Sequence, residues 1–354
     1  MISDIRLRNF RSYTDTTIEF GMGVNIIVGP NASGKTNLLE AILVLCRGSS
    51  YRANDQELIA HKQDWGRLDG QNNGQQRTVK LLKKGELIQK EYQVGGTTLK
   101  RLPLQRTVPA VVFEPNHLQL LTQSPDLRRN FLDDILEQTV PTFGDIRRRY
   151  KRTLAQRNSL LKQEFAPDQL FVWNVRLSEL GDQIAEHRLN YISQHKAELT
   201  KLYNKLAGKR YKIDMVYETK HNTDAYGSSL LKALEARTAV DRERGFTTVG
   251  PHRDDMGIIL GGHSLSSAAS RGETRTMLLA LKLLEVRSLE KARGIKPILL
   301  LDDVFSELDG KRRQALTAHL QGHQAFITTT DADIVIQHFL DNCTVIPTVK
   351  EYKT

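Results

Sequence analysis

Eight consecutive residues, Gly29, Pro30, Asn31, Ala32, Ser33, Gly34, Lys35 and Thr36, satisfy the pattern GxxxxGK[ST]. Such a loop, placed between a strand and a helix, turns backbone N–H groups and the positive helix end toward phosphate oxygens. Lys35 then reaches the β and γ phosphates, and the Thr36 hydroxyl meets Mg²⁺. Gly34 lets the backbone come close, and Asn37 continues the cradle. Nucleotide hydrolysis also needs a carboxylate at the end of a neighbouring apolar strand. Ile298–Leu301 runs directly into Asp302 and Asp303. Asp302 is the expected Mg²⁺ ligand, directly or through water, and Asp303 is placed to orient or deprotonate the attacking water. The candidate catalytic set is Lys35, Asp302 and Asp303, with ATP and Mg²⁺ as the cofactors.

Lys35 and Asp302 stand about 270 positions apart. Compact P-loop enzymes hold the two motifs much closer, so a long segment is inserted between the halves of one nucleotide site. That layout belongs to ABC-type ATPase heads. Two further segments fit it. Ser270–Glu273 (SRGE) precedes a long helical pattern, where Ser270 and Gly272 match the signature motif that serves the nucleotide of the opposite subunit. Ser306–Asp309 (SELD) follows the acidic pair, as the D-loop does.

The elements that position these residues are legible in outline. Ile5–Arg8 alternates as a half-buried strand does, and Gly23–Val28 reads as a buried parallel strand. Lys35–Arg47 is a helical pattern with Gly48 as its C-cap. Residues 66–75 read as a surface loop from their Gly, Asn and Gln content. Residues 76–112 read as antiparallel strands with a hairpin at Gly95 and Gly96. From about 117 to 242 helical periodicity dominates, as in Leu170–Leu189 and Leu199–Leu206. Strand character returns at Met256–Gly262, then a helix over Arg275–Arg293, then strands at Pro297–Leu301 and Gln324–Thr328. The fold class is α/β: an ABC-type P-loop ATPase head, first half 1–116 and second half 246–354, interrupted by an all-helical lid at 117–245.

The composition bounds the function. The chain has 354 residues, with 51 Lys and Arg against 41 Asp and Glu, a net charge of +10. That balance suits a polyanionic partner such as nucleic acid or a membrane surface. No apolar run approaches the roughly 20 residues that span a bilayer. Residues 1–6 do not resemble a secretory signal. Two cysteines, Cys46 and Cys343, are too few for a thiolate zinc site and suit a cytoplasmic protein. Cys46 falls on the apolar side of the P-loop helix and reads as core.

Arg147, Arg148, Arg149, Lys151, Arg152, Arg157 and Lys162 form a basic run without an acid from 147 to 162. Two readings stay open: a solvated helix face, or a stripe contacting DNA phosphates through Arg147–Arg152.

Leu7–Tyr13 (LRNFRSY) with the P-loop resembles the N-terminus of the RecF family, bacterial DNA replication and repair proteins. So do Ser50–Arg52, Asp55–Ile59, Phe113–Pro115, Ser124–Asp133, Tyr150–Leu161, Val249–Asp255 (VGPHRDD), Ser270–Glu273, Leu300–Asp309 and Thr328–Asp331. The resemblance covers nearly the whole chain. It implies an ATP-dependent homodimer that binds single- and double-stranded DNA, particularly gapped or junction DNA. It also implies work with RecR and RecO to help RecA load during DNA damage repair and the SOS response, with slow regulatory ATP hydrolysis. Some positions depart from the family. Pro115, Asn116 and His117 replace a Pro-Glu-Asp-like turn. The signature reads Ser-Arg-Gly-Glu where Ser-Gln-Gly-Gln is common. Thr328–Asp331 lacks a switch histidine, and Asp303 stands where transporters carry Glu.

His252 and Arg253 fall outside the catalytic set, since a turn after Gly250 and Pro251 explains them equally well. The insert lacks sustained heptads, which disfavours a long SMC-type coiled-coil arm. About 45 residues follow Asp309, too few for an added nuclease domain. A transporter ATPase does not suit the Leu7–Tyr13 start.

Overall fold

The computed structural model describes residues 1–163, 167–331, 335–337, 339 and 343–348. The chain divides into two compact units: Met1–Pro115 with Glu285–Thr354, and Asn116–Leu284.

The first unit holds two sheets. One is six-stranded and antiparallel, built from β1 (Ile2–Phe10), β2 (Tyr13–Glu19), β4 (Trp65–Asn72), β5 (Gln75–Lys84), β6 (Leu87–Val94) and β7 (Thr97–Leu99), in the order β2-β1-β4-β5-β6-β7. The other is parallel, with β3 (Val24–Val28), β8 (Ala110–Phe113), β12 (Ile298–Asp302), β13 (Ala325–Thr329) and β14 (Cys343–Pro347), in the order β14-β3-β13-β12-β8. Helix α1 (Lys35–Arg47) packs on strands of both sheets. That explains why Leu38–Cys46 is apolar nearly all round: a helix covered on every side has no polar face. Gly48 ends α1 at φ +78° and donates to the Val44 carbonyl, as a C-cap should.

Residues 66–72 are strand β4, not a loop. Their glycines serve close packing rather than a turn. A Cβ on Gly70 would come within 2.6 Å of the Asp4 carbonyl oxygen and 2.7 Å of a Leu45 methyl. One on Gly66 would meet the Asn9 carbonyl oxygen at 2.9 Å.

The second unit contains α2 (Pro125–Thr139), α3 (Phe143–Leu160), α4 (Pro167–Ala207) and α5 (Tyr226–Ala236). Helix α4 joins into one element of 41 residues the two periodic stretches read separately in the sequence. The unit is helix-rich rather than all helical. Strand β9 (Ile213–Glu218) pairs with β10 (Asp255–Leu260), which turns at Gly261 and Gly262 into β11 (His263–Ser264). Because β10 is held by β9, residues 246–284 cluster with this unit. The second boundary therefore stands at Glu285 rather than 246, inside helix α6 (Arg271–Arg293).

Buried charge organises this unit. Arg188 grips Asp133 at 2.8 and 3.0 Å. Asp254 accepts hydrogen bonds from Tyr217, Tyr226 and Thr219 at 2.6–2.8 Å. Pairing of this kind is what makes buried charge tolerable. Among the described residues no helix is long and apolar enough to cross a membrane.

Candidate functional site

In an open parallel sheet the loops after the carboxyl ends of the strands gather at one edge. Here β13 lies between β3 and β12, with Val28 beside Thr329 and Asp302 beside Thr328. The P-loop leaves β3 and the acidic pair leaves β12, so one strand separates them. Thr328 bridges that interval. Its hydroxyl donates to Asp302 Oδ1 at 2.8 Å and accepts from the Asp303 N–H at 2.9 Å. The same Asp302 oxygen accepts from the Thr36 hydroxyl at 3.0 Å.

The P-loop backbone is held in its curve by Ala32 at φ +62° and Gly34 at φ +98°. Lys35 Nζ donates to the carbonyls of Gly29 (2.7 Å) and Pro30 (2.9 Å), so the ammonium lies in the loop's own cradle. Burial draws it below the usual lysine value, against the opposing pull of Asp303 and Asp302. Pro30, Asn31 and Ala32 are exposed, whereas Ser33 is buried. Gly29 is required by a contact the motif does not announce. A Cβ there would meet Thr348 Oγ1 at 2.3 Å and its carbonyl oxygen at 2.6 Å. Thr348, just past β14, also shares a hydroxyl hydrogen bond with Ser33 at 2.8 Å.

A buried carboxylate and its hydrogen-bond donors hold the helix behind the loop. Glu40 on α1 is fully buried. It accepts from Arg11 at 2.7 and 3.0 Å, from Ser50 at 2.5 Å and from Arg52 at 3.2 Å. Burial alone would raise its carboxyl; the hydrogen bonds outweigh burial and hold it below the usual carboxylate value. Asn37, expected in the phosphate cradle, is engaged with the same segments. It donates to Ser12 Oγ (2.9 Å) and accepts from Arg52 (2.7 Å). Sequence reasoning missed Glu40, Thr328 and Thr348 as parts of the site. An acid in the middle of an apolar helix was the one signal for Glu40.

Thr36 and Asp302 present two hard oxygens side by side, the donor type that suits Mg²⁺. Magnesium usually takes one or two carboxylates and completes its shell with phosphate and water. Asp303 has φ +53° and occupies the N-cap position of the one-turn helix Val304–Glu307 without a side-chain capping bond. Asp309 caps α7 (Gly310–Leu320) by accepting from the Arg312 N–H at 3.0 Å.

Ser270 and Gly272 lie in the other unit, at the start of α6. Ser270 and Glu273 form a capping box: the Glu273 carboxylate accepts from the Ser270 N–H (2.9 Å) and hydroxyl (2.8 Å). These bonds, the backbone one first, hold Glu273 below the usual carboxylate value.

The basic run divides. Arg147 is internal, bonded to Glu137 (2.8 Å), Asn130 (2.9 Å) and Asp133 (3.1 Å). Arg157 is wholly buried against Asp241 (2.8 Å), Asn174 (2.7 Å) and Thr247 (2.7 Å). Arg148, Arg149, Lys151 and Arg152 are exposed on α3, and Arg148 pairs with Asp145. Arg147 therefore leaves the group of candidate phosphate contacts. His252 accepts from the Tyr150 hydroxyl at Nδ1 (2.7 Å), and its Nε2 faces the Thr247 carbonyl (3.2 Å). Burial holds this ring neutral, with its pKa lowered to about 4. It is a framework residue.

A P-loop and an acidic strand end on one parallel sheet, separated in sequence by a helix-rich insert, define an ABC-type ATPase head of the kind found in SMC proteins. The model of the RecF/RecN/SMC N terminal domain matches residues 1–352. Curated RecF proteins of Heliobacterium modesticaldum and Symbiobacterium thermophilum are each 36% identical, over 93% and 94% of this chain and 92% of theirs. The chain belongs to the RecF family. Two solved structures of similar proteins are described as the recombination mediator protein RecF-ATPrS and RecF-ATP in the RecFOR pathway. They superpose with TM-scores of 0.87 and 0.83 at 30% and 32% identity, covering 99% and 93% of this chain and 98% and 92% of theirs.

Proposed function

We propose that the protein is an ATP-dependent DNA-binding protein of replication and recombinational repair. ATP closes a homodimer on gapped or junction DNA, and slow hydrolysis resets it. The observation that carries this reading is the meeting of Thr36, Asp302 and Thr328, which ties the P-loop helix to the acidic strand end. Lys35 and the loop amides hold the β and γ phosphates. Thr36 and Asp302 would hold Mg²⁺, which neutralises phosphate charge when bound. Asp303 orients the attacking water and takes its proton. Arg11, Ser50 and Arg52 fix the P-loop helix through Glu40, so the cradle keeps its shape as charge develops.

Ser270 and Gly272 serve the nucleotide of the opposite subunit, which makes dimerisation depend on ATP. The exposed Arg148, Arg149, Lys151 and Arg152 contact DNA phosphates. The domain layout is a split head with a helix-rich lid. Partnership with RecR and RecO is supported by the description of two solved relatives as recombination mediator proteins in the RecFOR pathway; action on RecA and a cytoplasmic location complete the proposal.

Light scattering with Mg²⁺ and ATP tests the dimer. Wild type is expected to double in mass, and Lys35→Ala to stay monomeric. A wild type that stays monomeric at saturating ATP overturns the clamp.

A further inference from the structure

Phe246 is 38% exposed, on a backbone that is tied down. Its N–H donates to the Asp241 carbonyl at 3.2 Å. The next residue, Thr247, donates to Asn158 Oδ1 on α3 from its N–H (2.8 Å) and its hydroxyl (2.7 Å). The buried Arg157 binds both Thr247 and Asp241. A single exposed apolar side chain is ordinary. What sets this one apart is the group that lies on it.

The Arg253 guanidinium stands over the Phe246 ring, 5.2 Å from its centroid, within the range of a cation–π contact. Arg253 is itself exposed, and among the described residues no carboxylate pairs with it. A tight turn brings it there. The Arg253 N–H donates to the Gly250 carbonyl at 2.8 Å, and Gly250 has φ +118°, a conformation that glycine adopts readily. A Cβ on Gly250 would also meet the Tyr150 hydroxyl at 2.7 Å, so the turn sits tightly on α3.

Positive charge flanks the pair. Arg244 is exposed two residues before the ring. The stem of the exposed Lys162 passes 3.5–3.6 Å from where a Cβ on Gly245 would stand, which brings an ammonium next to Phe246. Glu243 is the one acid from Arg242 to Arg253. An aromatic face, a planar cation and free positive charge on a rigid backbone are the parts that hold an unpaired nucleobase. Bases stack on aromatic rings and guanidinium planes whatever their identity, while Lys and Arg neutralise the strand. A base inside a duplex already has both faces covered by its neighbours.

We propose that Phe246 and Arg253 form a stacking platform for an unpaired base of a DNA strand, with Lys162 and Arg244 on the adjoining phosphates. This deepens the DNA-binding reading and rests on it. The exposed charges of α3 answer to the phosphates of any DNA, whereas the platform answers to a single-stranded stretch, which gapped DNA has and intact duplex lacks.

Phe246→Leu, Phe246→Trp and Arg253→Lys in the full chain test it. Leucine keeps an apolar side chain without a π-face, tryptophan enlarges the π-face, and lysine keeps the charge without the plane. Affinity for gapped and intact duplexes of one sequence is measured across a salt series with Mg²⁺ and ATP. Phe246→Leu should bind gapped DNA about five- to hundredfold more weakly and intact duplex within about twofold of wild type. Its salt slope should not change, because no phosphate contact is lost. Arg253→Lys should also weaken gapped DNA selectively, and Phe246→Trp should bind it at least as well as wild type. Unchanged gap binding in Phe246→Leu overturns the platform alone. Equal losses on gapped and intact DNA also overturn it, as does a Phe246→Trp that binds no better than Phe246→Leu. A wild type that binds neither DNA overturns the DNA-binding reading itself, and this proposal with it.

Discussion

The Thr36 hydroxyl and the Asp302 carboxylate stand 3.0 Å apart, although about 270 positions separate them in the chain. Strand order creates this contact. Strand β13 fills the gap between β3 and β12, and Thr328 on it bonds the same carboxylate oxygen. The geometry sets up several expectations.

Thr36→Ala removes one of the two oxygens offered to the metal and leaves the Lys35 cradle untouched. Nucleotide affinity in EDTA should stay within about twofold of wild type, while magnesium-dependent binding and turnover fall at least about tenfold. Calorimetric titration with and without Mg²⁺ measures this. Equal affinity losses in both conditions would show that Thr36 acts only through loop structure.

Gly29→Ala places a methyl 2.3 Å from Thr348 Oγ1 and 2.6 Å from its carbonyl oxygen. One of the two strands must shift, at a cost of about 1–3 kcal/mol. Thr348→Ala removes the hydroxyl and not the carbonyl, so the double variant should recover only part of the stability. Urea unfolding of the three variants reads this. Full recovery would mean that the hydroxyl alone sets the requirement for glycine.

Arg157→Ala leaves Asp241 buried without its cation and should destabilise the protein by about 3–5 kcal/mol. Arg149→Ala and Arg152→Ala remove exposed charges and should leave stability within about 0.5 kcal/mol. Their effect should appear instead as a shallower dependence of DNA affinity on salt. Parallel melts and binding isotherms separate the two kinds of arginine.

The buried His252 ring resists protonation down to about pH 4, whereas in the unfolded chain it takes a proton near 6.5. Between those values the unfolded state binds more protons, so stability falls as pH falls through this window and levels off below it. The difference in unfolding free energy between wild type and His252→Gln should therefore vary from pH 7 to 4. A difference that does not vary with pH would mean the ring is not protonated on unfolding in this range.

The short motifs were legible because their chemistry is local. A P-loop is one turn of chain, and four apolar residues ending in two acids describe a strand end without knowledge of its neighbours. What the sequence hid depends on partners brought from far away. Gly29 fits its pattern, yet the atom that forbids a side chain belongs to Thr348. Arg147 and Arg157 looked like a free basic stripe, because their acids, Asp133, Glu137 and Asp241, sit on other turns of the fold. Residues 66–72 carried loop composition, because glycine's use in close strand packing is indistinguishable in sequence from its use in turns. Strand β9 was masked by the helical periodicity on either side of it.

The central claim is that nucleotide closes this protein on DNA. The most direct test is quantitative binding of gapped, single-stranded and duplex DNA across a salt series, with and without Mg²⁺ and ATP. The account predicts tighter binding of gapped DNA with ATP and a steeper salt dependence, because two sets of Arg148–Arg152 charges then meet one DNA. Affinity and salt slope that are the same with and without ATP would contradict it.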